Sequence, residues 1–474
     1  MNLNRLWVSR ILTTGTLFIA LSSLALAQAR RPRAVRFEPN IQLGGVPSTD
    51  SGVEQEEPTI AVNPANPANL VAAFHEFYET QNFDLPCGFA NSVDGGRTWT
   101  WRGLAPRISS GDFCSDPALA ADSRGTFYLS YLNVARKQNN DSGIVVAKST
   151  DGGQTFSSFS VSFVETATRF ADKEYIAADA SPLSPFRDTL YLSWTLLEGD
   201  NSGFSTSRIV VQVSKDGGQS WSNPAPISPA VFFDELMTGS VPVVDAGGAV
   251  YIFYLHANPI TQRSSIDFAK STDGGLTWSA PAAAAANLPT PGWLFDYNNG
   301  DPSLGFGFRG SSLPSAAITS DGKIFLVWAD FPNGSCDPLT FICVNSDVRM
   351  SVSADGGTSW SAPVRITDDT GATDQFFPWV AAHPDGLVSV VWLDRRLDPG
   401  NVLYDLFYTN TADGRRFLRN VRVSTQSSDP TGKGFIGDYN NVATTLEGVF
   451  TVWGDMRFPP RVNVFTASGR LSAR

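Results

Sequence analysis

The sequence predicts an all-β fold, a β-propeller of four-stranded antiparallel blades, most simply with seven blades and with six as the alternative. Three observations predict it. A short turn sequence recurs along the chain, a strand sequence of buried character recurs at a similar spacing, and helical periodicity is nearly absent. Repetition at this scale is typical of solenoids and propellers, and radial packing of four-stranded sheets accommodates repeated strand units.

The recurring turn sequence appears first at 92–99 as SVDGGRTW. Its Asp is placed to accept hydrogen bonds from N–H groups of its own turn, and its Gly pair supplies the positive φ angles of a tight hairpin. Because a protein needs one active site and not six, we interpret this sequence as a structural turn between the third and fourth strands of each unit. Four further full copies begin at Ser149, Ser214, Ser271 and Ser353, and a shortened copy begins at Thr411.

A strand sequence of β-branched and aromatic residues precedes each turn and occurs once more near the end of the chain. Such runs, bounded by Gly, Asn and Asp, are typical of buried strands. Seven of these strands outnumber six turns, and we therefore predict seven blades. The aromatic residues that the seven copies hold in one register are Phe74, Tyr131, Trp194, Tyr254, Trp328, Trp392 and Trp453.

A shorter strand rich in small residues comes before each of these strands, as expected for the innermost strand where the sheets converge. A third strand leads into each turn and a fourth follows it. The last unit has only three strands before the chain ends, so we predict that residues 34–43 supply its fourth strand. This N-terminal strand would close the ring and cover edges that an open sheet exposes.

The first 29 residues have the features of a cleaved export signal. Two arginines precede an apolar run over 11–26, and small residues suit cleavage near Ala27 or Ala29. The run is shorter than the roughly 18 residues that a membrane span needs, which disfavours the alternative of an uncleaved anchor. We expect residues 30–474 to form a single propeller domain of a secreted or periplasmic protein, without a membrane span.

The formal net charge of −11 argues against a nucleic-acid partner, which would call for a basic patch. An even count of four cysteines in an oxidising compartment predicts two disulfides. Cys87 and Cys114 lie in loops on one face of neighbouring units, and Cys336 and Cys343 flank one loop of the fifth unit. We therefore predict the pairs Cys87–Cys114 and Cys336–Cys343.

The repeated turn, S-x-D-G-G-x-T-W, resembles the Asp-box or BNR repeat of the sialidase superfamily, and its copies cover essentially the whole chain after the signal. The chain is thus similar to secreted bacterial BNR-repeat proteins. The resemblance implies a β-propeller with the boxes on the face away from the active site. It also implies a protein that acts on glycans or binds them, with a glycan or glycoconjugate as partner.

Loops that enter the inner strand and loops that leave the second strand share one face of a propeller, at the mouth of its channel. In this chain those loops are rich in carboxylates, Glu57 and Asp116 among them, and they also contain a few arginines. Asp330, Asp394 and Asp455 hold the same register in three units, and we interpret them as turn caps. Residues that depart from the register are better candidates for function: Lys173, Glu174, His256 and Tyr439.

A sialidase requires arginines that clamp the substrate carboxylate, a Tyr nucleophile and an acidic residue as acid/base. The Arg-Ile-Pro signature of that family is missing, since VRFEP at Val35 has two residues between Arg and Pro. Catalysis therefore stays open, and the alternative is a non-catalytic propeller that binds carbohydrate or protein at the channel mouth. The candidates are Asp172, Glu174, Asp438 and Tyr439 for catalysis, with Tyr439 as nucleophile, and Arg309, Arg395 and Arg457 for substrate binding.

No cofactor and no metal are predicted. The sequence DYNNGD at 296–301 offers Asp and Asn oxygens at alternate positions, as calcium loops do. It lacks the remainder of such a loop, and an Asx-rich turn at Asp296 is the preferred interpretation. The sequence does not indicate the oligomeric state.

Overall fold

The computed structural model describes residues 31–44, 53–78, 83–84, 86–135, 142–200, 203–232, 234–258, 260–290, 293–295, 308, 310–333, 335–336 and 343–473. Seven small antiparallel sheets form a ring, which makes the fold a seven-bladed β-propeller and confirms the predicted class. In the described part of the chain, no helix has the length and apolar character to cross a membrane.

Blades 1 to 6 are each one sheet whose strands follow one another along the chain, and the sheet of blade 7 also includes strands from the N-terminus. Two short strands, β1 (Val35–Phe37) and β2 (Ile41–Gln42), come before the first blade. Blade 1 contains β3 (Val53–Val62), β4 (Leu70–Tyr78), β6 (Gly88–Ser92) and β7 (Thr100–Leu104), with β5 (Phe83–Asp84) paired to β4. Blade 2 contains β8 (Phe113–Ala121), β9 (Phe127–Val134), β10 (Gly143–Ser149) and β11 (Ser158–Val164). Blade 3 contains β12 (Arg169–Ala178), β13 (Leu190–Asp200), β14 (Gly203–Ser214) and β15 (Ala225–Pro226), with β16 (Val231–Phe232) paired to β14.

The second half of the ring repeats this order. Blade 4 contains β17 (Leu236–Val244), β18 (Val250–Asn258), β19 (Arg263–Ser271) and β20 (Ala282–Leu288). Blade 5 contains β23 (Ser315–Ile318), β24 (Ile324–Asp330), β27 (Asp347–Ser353) and β28 (Val364–Arg365). Blade 6 contains β29 (Gln375–Ala382), β30 (Val388–Asp394), β31 (Asp405–Thr411) and β32 (Val421–Arg422). Blade 7 contains β33 (Asn441–Thr444), β34 (Gly448–Asp455) and β35 (Asn463–Leu471). Two further pairs lie outside the blades: β21 (Trp293–Phe295) with β22 (Gly310–Ser311), and β25 (Ser335–Cys336) with β26 (Cys343–Val344).

The inner strands of neighbouring blades contact one another around the ring, and β33 contacts β3 where the ring closes. The aromatic residue predicted to share one register in the second strands is at most 1% exposed in all seven blades. These side chains form the apolar layers between blades, and their burial removes large apolar surfaces from water. The aromatic residues therefore recur in one register because each blade packs against its neighbour with a buried side chain at this position.

The ring is closed by the N-terminal residues, as predicted. β1 and β2 both pair antiparallel with β35, the last strand of the chain. Val35 lies opposite Leu471 and Ile41 lies opposite Thr466. The N-terminal strands thus complete blade 7 and cover the edge that β35 would otherwise expose.

The structural role predicted for the repeated turn is confirmed by its hydrogen bonds. In the first copy the Asp94 carboxylate accepts the N–H groups of Arg97 and Thr98, both at 3.0 Å, and the hydroxyl of Ser92 at 2.9 Å. Gly96 has a φ of 77°, a conformation that is strained for residues with a Cβ. The same pattern recurs around Asp151, Asp216, Asp273 and Asp355.

The recurring Asp at the end of the second strand is also structural. In blade 7 the indole Nε1–H of Trp453 donates to Asp455 at 2.8 Å, and the N–H of Arg457 donates to the same carboxylate at 2.9 Å. Blade 6 repeats the indole bond between Trp392 and Asp394 at 2.7 Å. The prediction that these aspartates cap turns is confirmed for Asp394 and Asp455. The Asp330 carboxylate instead accepts the indole N–H of Trp328 at 2.8 Å, and among the described residues it has no hydrogen bond to its turn.

A disulfide joins Cys87 to Cys114, which confirms the first predicted pair and links blade 1 to blade 2. The backbone register of β25 and β26 places Cys336 opposite Cys343. The side chains of these two residues lie outside the described part of the chain, so the second pair stays a prediction.

Candidate functional site

The residues that enter the inner strands were predicted to be loops, but in blades 1, 2 and 3 they are strand residues interrupted by a β-bulge. The bulges fall at Glu57, Asp116 and Lys173, whose φ angles are 52°, 53° and 55°. Left-handed backbone is unfavourable for residues with a Cβ and persists where the surroundings impose it, often at functional sites. A bulge also redirects a side chain away from the regular pleat.

The strand registers show that these three residues occupy one equivalent position in successive blades. In each blade, one inner-strand residue pairs opposite the residue that precedes the buried aromatic of the second strand. Each of the three bulge residues lies two positions before that inner-strand residue. The same register assigns one residue from every blade to a ring around the channel. From blade 1 to blade 7 this channel ring consists of Glu57, Asp116, Lys173, Gly239, Leu313, Phe377 and Tyr439.

The polar members of the channel ring meet on one side of the channel, together with two residues next to them in sequence. We call this group the channel cluster. Its members, from blades 1, 2, 3 and 7, are Glu57, Asp116, Lys173, Glu174, Asp438 and Tyr439.

Lys173 lies at the centre of the cluster. Its Nζ is 2.8 Å from Oδ1 of Asp116, 3.8 Å from Oδ2 of Asp438 and 3.9 Å from Oε1 of Glu57. It also lies 3.8 Å from the centre of the Tyr439 ring. Although burial opposes the charge of Lys173, the carboxylates around it raise its pKa, so the side chain stays an ammonium ion.

Glu57 is 2% exposed, and burial, followed by the nearby Asp116 carboxylate, raises its pKa to about 8. Its Oε2 accepts the N–H of Asp116 at 3.2 Å. Lys173 lowers the pKa of Glu57 by a smaller effect. At neutral pH Glu57 is therefore mostly a protonated acid, whereas its neighbour Asp116 is ion-paired with Lys173.

Glu174 occupies the position that Pro58 and Pro117 hold in the first two blades. Its side chain is fully enclosed, and no donor reaches either carboxyl oxygen with hydrogen-bond geometry, although the Ser130 hydroxyl is close enough to act on it. Burial, followed by the charge of Asp116, raises the pKa of Glu174 well above its ordinary value. Burial without a strong hydrogen-bond donor therefore disfavours the charged form of Glu174.

Tyr439 is buried, and its hydroxyl donates to the carbonyl oxygen of Pro117 at 3.1 Å. Burial, followed by the nearby carboxyl groups of Glu57 and Asp116, raises the pKa of the Tyr439 phenol well above its ordinary value. The raised pKa keeps the hydroxyl protonated, and its hydrogen bond to the Pro117 carbonyl orients it toward the backbone.

Aromatic side chains from opposite blades meet one strand position deeper in the channel. Tyr175 and Trp379 have ring centres 5.2 Å apart, and Trp379 lies 6.1 Å from Tyr439. The amide of Asn441 donates to the hydroxyl of Tyr175 at 2.7 Å. These side chains bridge the channel beneath the cluster. Above them, the side chain of Lys173 keeps 12% of its surface exposed, so solvent reaches the cluster.

The predicted site residues fall into two groups. The structure brings Glu174, Asp438 and Tyr439 together in the channel cluster. Asp172 lies at the edge of the bulge opposite Thr195, and its charge acts on Glu165. Arg309, like Asp296 of the possible calcium loop, lies outside the described residues.

The other two arginines predicted to bind substrate, Arg395 and Arg457, each lie next to an aspartate of the protein. Arg395 is fully buried, 3.7 Å from Asp374, with its guanidinium 5.1 Å from the ring centre of Phe308. Arg457 pairs with Asp455 at 2.7 Å. Their predicted role in substrate binding stays a prediction.

Glu57, Asp116 and Lys173 build the centre of the site; all three were among the residues expected at the channel mouth, but no catalytic or substrate-binding role was predicted for them. A signal was present in the sequence. When the seven inner strands are aligned on their small residues, a charged residue stands in one register in three successive units. The bulge that directs these side chains to a common point is not visible in the sequence.

The described residues contain no group of three or more His, Cys, Asp or Glu side chains arranged to hold a metal ion. The expectation that the protein needs no metal or other cofactor stays a prediction.

No family model matches the chain, and no curated protein sequence matches it. Solved structures do. One is a protein of unknown function from Dyadobacter fermentans, 14% identical, with a TM-score of 0.49 and coverage of 92% of this chain and 99% of that one. Another is the α-L-arabinofuranosidase Arb93A from Fusarium graminearum, 15% identical, with a TM-score of 0.45 and coverage of 75% and 92%.

Trypanosoma rangeli sialidase is also similar, at 14% identity and a TM-score of 0.43, over 92% of this chain and 59% of the sialidase. Solved structures similar to this chain therefore include glycoside hydrolases. At such identities the function has to be argued from the residues of this chain.

Proposed function

We propose that the protein is a secreted, glycan-directed propeller and that its channel cluster hydrolyses a glycosidic bond. The observation that carries the proposal is the pairing of a protonated acid, Glu57, with the ion-paired carboxylate of Asp116. A buried, protonated acid beside an ion-paired carboxylate is suited to divided acid and base roles. Secretion is supported by the disulfide between Cys87 and Cys114 and by the export signal predicted at 1–29.

The contacts to Lys173 set an upper limit on the separation of the two carboxyl groups, and this limit falls within the range used by glycosidases. Oε1 of Glu57 and Oδ1 of Asp116 lie 3.9 and 2.8 Å from the same Nζ of Lys173, so they are at most about 7 Å apart. Pairs of carboxyl groups in glycosidases are separated by ~5 to 9.5 Å. In the proposed reaction Glu57 protonates the leaving oxygen, and Asp116 or Asp438 serves as the carboxylate partner.

The exo-sialidase form of the proposal assigns the nucleophile to Tyr439 and the anion clamp to Arg309, Arg395 and Arg457. The geometry supports this form less well. The Tyr439 hydroxyl is bound to a backbone carbonyl and is difficult to ionise. Arg395 and Arg457 are occupied by Asp374 and Asp455.

The test is hydrolysis of a panel of aryl glycosides, including a sialoside, by the wild-type chain and by Glu57→Gln. The variant keeps the size and the hydrogen-bond acceptor of Glu57 but cannot donate the acid proton. We expect its turnover to fall by about 10²- to 10⁴-fold, the usual contribution of a general acid. Retention of wild-type turnover in Glu57→Gln would contradict the assignment of the acid.

Glu76→Gln is the matched control. Glu76 is another buried carboxyl whose pKa burial raises to about 7, but it accepts its hydrogen bond from the amide of Gln55 on β3 and it is not in the cluster. We expect this variant to hydrolyse the same glycoside at the wild-type rate. Equal losses in both variants would indicate damage to blade 1 instead of loss of an acid.

A second candidate is a non-catalytic propeller that binds glycan at the same place. The enclosure of Glu57 and Glu174 favours this alternative, because buried acids can shape a site without reaching a scissile bond. Saturable glycan binding without hydrolysis of any glycoside in the panel would select it.

A further inference from the structure

We infer that the channel cluster selects an uncharged, hydroxyl-rich sugar ring and disfavours both anionic and cationic ligands. This inference rests on the proposed glycan-directed function and adds the substrate class. It is carried by the composition of the channel ring and by the partners of the basic side chains around the mouth.

The channel ring is divided into a polar arc and an apolar arc. Blades 7, 1, 2 and 3 contribute Tyr439, Glu57, Asp116 and Lys173 to the polar arc, and these side chains are in mutual contact. Blades 4, 5 and 6 contribute no charged residue to the ring. Their residues are Gly239, Leu313 and Phe377, and the Leu313 side chain lies so close to Gly239 that a Cβ there would be 2.5 Å from its Cδ2.

A sugar ring matches such a division, because it has hydroxyl groups at its edge and C–H groups on its faces. The Asp116 carboxylate, ion-paired with Lys173, accepts hydrogen bonds but cannot donate them, so this part of the polar arc suits a ligand that donates. Sugar hydroxyls donate to carboxylates without bringing in a charge. The carboxylate of an acidic sugar offers only acceptors and would face Asp116 and Asp438 across the same space.

The basic side chains around the mouth are already bound to carboxylates of the protein. Lys173 is 2.8 Å from Asp116, and Arg457 is 2.7 Å from Asp455. Lys433, from the segment before β33, donates to both carboxylate oxygens of Glu54 at 2.8 and 2.9 Å. An anionic ligand would have to displace one of these internal partners to gain an arginine or lysine of its own.

A cationic ligand is disfavoured for a different reason. The ammonium of Lys173 lies within 4 Å of the carboxyl groups of Glu57, Asp116 and Asp438 and so holds the position that a bound cation would take. A second positive charge would have to approach this buried ammonium. The polar arc therefore has an internal counter-ion and does not require one from the ligand.

The experiment is a calorimetric titration with sets of methyl glycosides that differ only in charge. Each set contains a hexoside, the corresponding hexuronide and the corresponding 2-amino-hexoside, in the gluco, galacto and manno configurations. We expect the neutral member of the set that binds best to bind at least tenfold more tightly than its charged counterparts. The variant Lys173→Met, which removes the ammonium but keeps the length of the side chain, should move the preference toward the amino sugar.

The outcomes separate the two proposals. Binding of a hexuronide or an amino sugar as tightly as the neutral sugar would overturn this inference and leave the glycan-directed function standing. Binding of no sugar in any set, neutral or charged, together with no hydrolysis, would overturn the proposed function itself. Because the wild-type chain answers the main question, a failure of Lys173→Met to fold does not remove the test.

Discussion

The ammonium of Lys173 lies 3.8 Å from the centre of the Tyr439 ring. The two residues are 266 positions apart in sequence, yet they hold the same register in the inner strands of blades 3 and 7. A cation over an aromatic face is stabilised further when it is shielded from water. This contact joins two sides of the ring across the channel and places the phenol, the ammonium and the surrounding carboxyl groups in one site.

The stability of the protein should depend on pH through Glu57. Its pKa is raised from 4.5 to about 8 in the folded chain, so the stabilisation is present below about pH 4.5 and is lost as the pH rises to about 8. Since one pKa unit corresponds to ~1.4 kcal/mol, we expect this group to contribute a loss of roughly 2–4 kcal/mol. Denaturant unfolding at pH 5 and pH 8 measures it. Glu57→Gln should show a smaller difference, whereas an unchanged difference would contradict the assignment.

Hydrolysis should fall at alkaline pH. If Glu57 is the general acid, kcat/KM depends on its protonated form in the free protein and should decrease tenfold per pH unit above about pH 8. The measurement is a pH profile with an aryl glycoside that the protein hydrolyses. A profile that stays level to pH 10 would exclude Glu57 as the acid.

Tyr439→Phe separates a structural tyrosine from a nucleophile. The variant removes the hydrogen bond to the carbonyl oxygen of Pro117 but keeps the ring beneath Lys173. We expect a loss of about 1 kcal/mol in the free energy of unfolding, with turnover within a few-fold of wild type. Complete loss of turnover with intact glycan binding would instead support the exo-sialidase form of the proposal.

Asp273→Ala should affect stability and leave the site unchanged. The Asp273 carboxylate accepts the hydroxyl of Thr277 and the N–H groups of Thr277 and Leu276, both at 3.0 Å, and these bonds, the hydroxyl first, lower its pKa to about 2. We expect the melting temperature to fall by a few degrees (~2–4 °C) at neutral pH. The difference from wild type should shrink as the pH falls toward 2, because protonation removes the same interaction. Loss of activity in folded Asp273→Ala protein would contradict the placement of the site.

Removal of the N-terminal strands should open the ring. A chain lacking residues 31–43 loses the pairing of β1 and β2 with β35, and Val35 and Phe37 no longer pack beside blade 7. We expect a decrease of more than 10 °C in the melting temperature and a tendency to self-associate through the uncovered edge of β35. Replacement of the exposed Leu183, which lies in a surface turn of blade 3, by Ser is a control that should leave both properties unchanged.

The number of blades, the position of the repeated turn, the closing strand and the Cys87–Cys114 disulfide could all be predicted from the sequence. Each depends on a pattern that recurs along the chain or on a short connection between neighbouring units. Trp453 and Asp455 illustrate this, because the indole and the carboxylate that bind each other are two residues apart and the pair recurs in blades 5, 6 and 7. A pattern that recurs between residues close in sequence predicts the local structure of those residues.

Only the tertiary structure decided which charged residues form the site. Five inner strands, those of blades 1, 2, 3, 4 and 6, carry bulges with left-handed backbone, and these bulges hold charged residues only in blades 1 to 3. Glu57, Asp116, Lys173 and Tyr439 meet because of the bulges in blades 1 to 3 and because closure of the ring brings blade 7 beside blade 1. By contrast, Arg395 and Arg457 carry the same charge and lie in comparable loops, yet each is held by its own aspartate. The sequence by itself determined the repeated unit, since side-chain burial and turn chemistry act over a few residues. The grouping of charges depended on contacts across the channel, which link residues hundreds of positions apart.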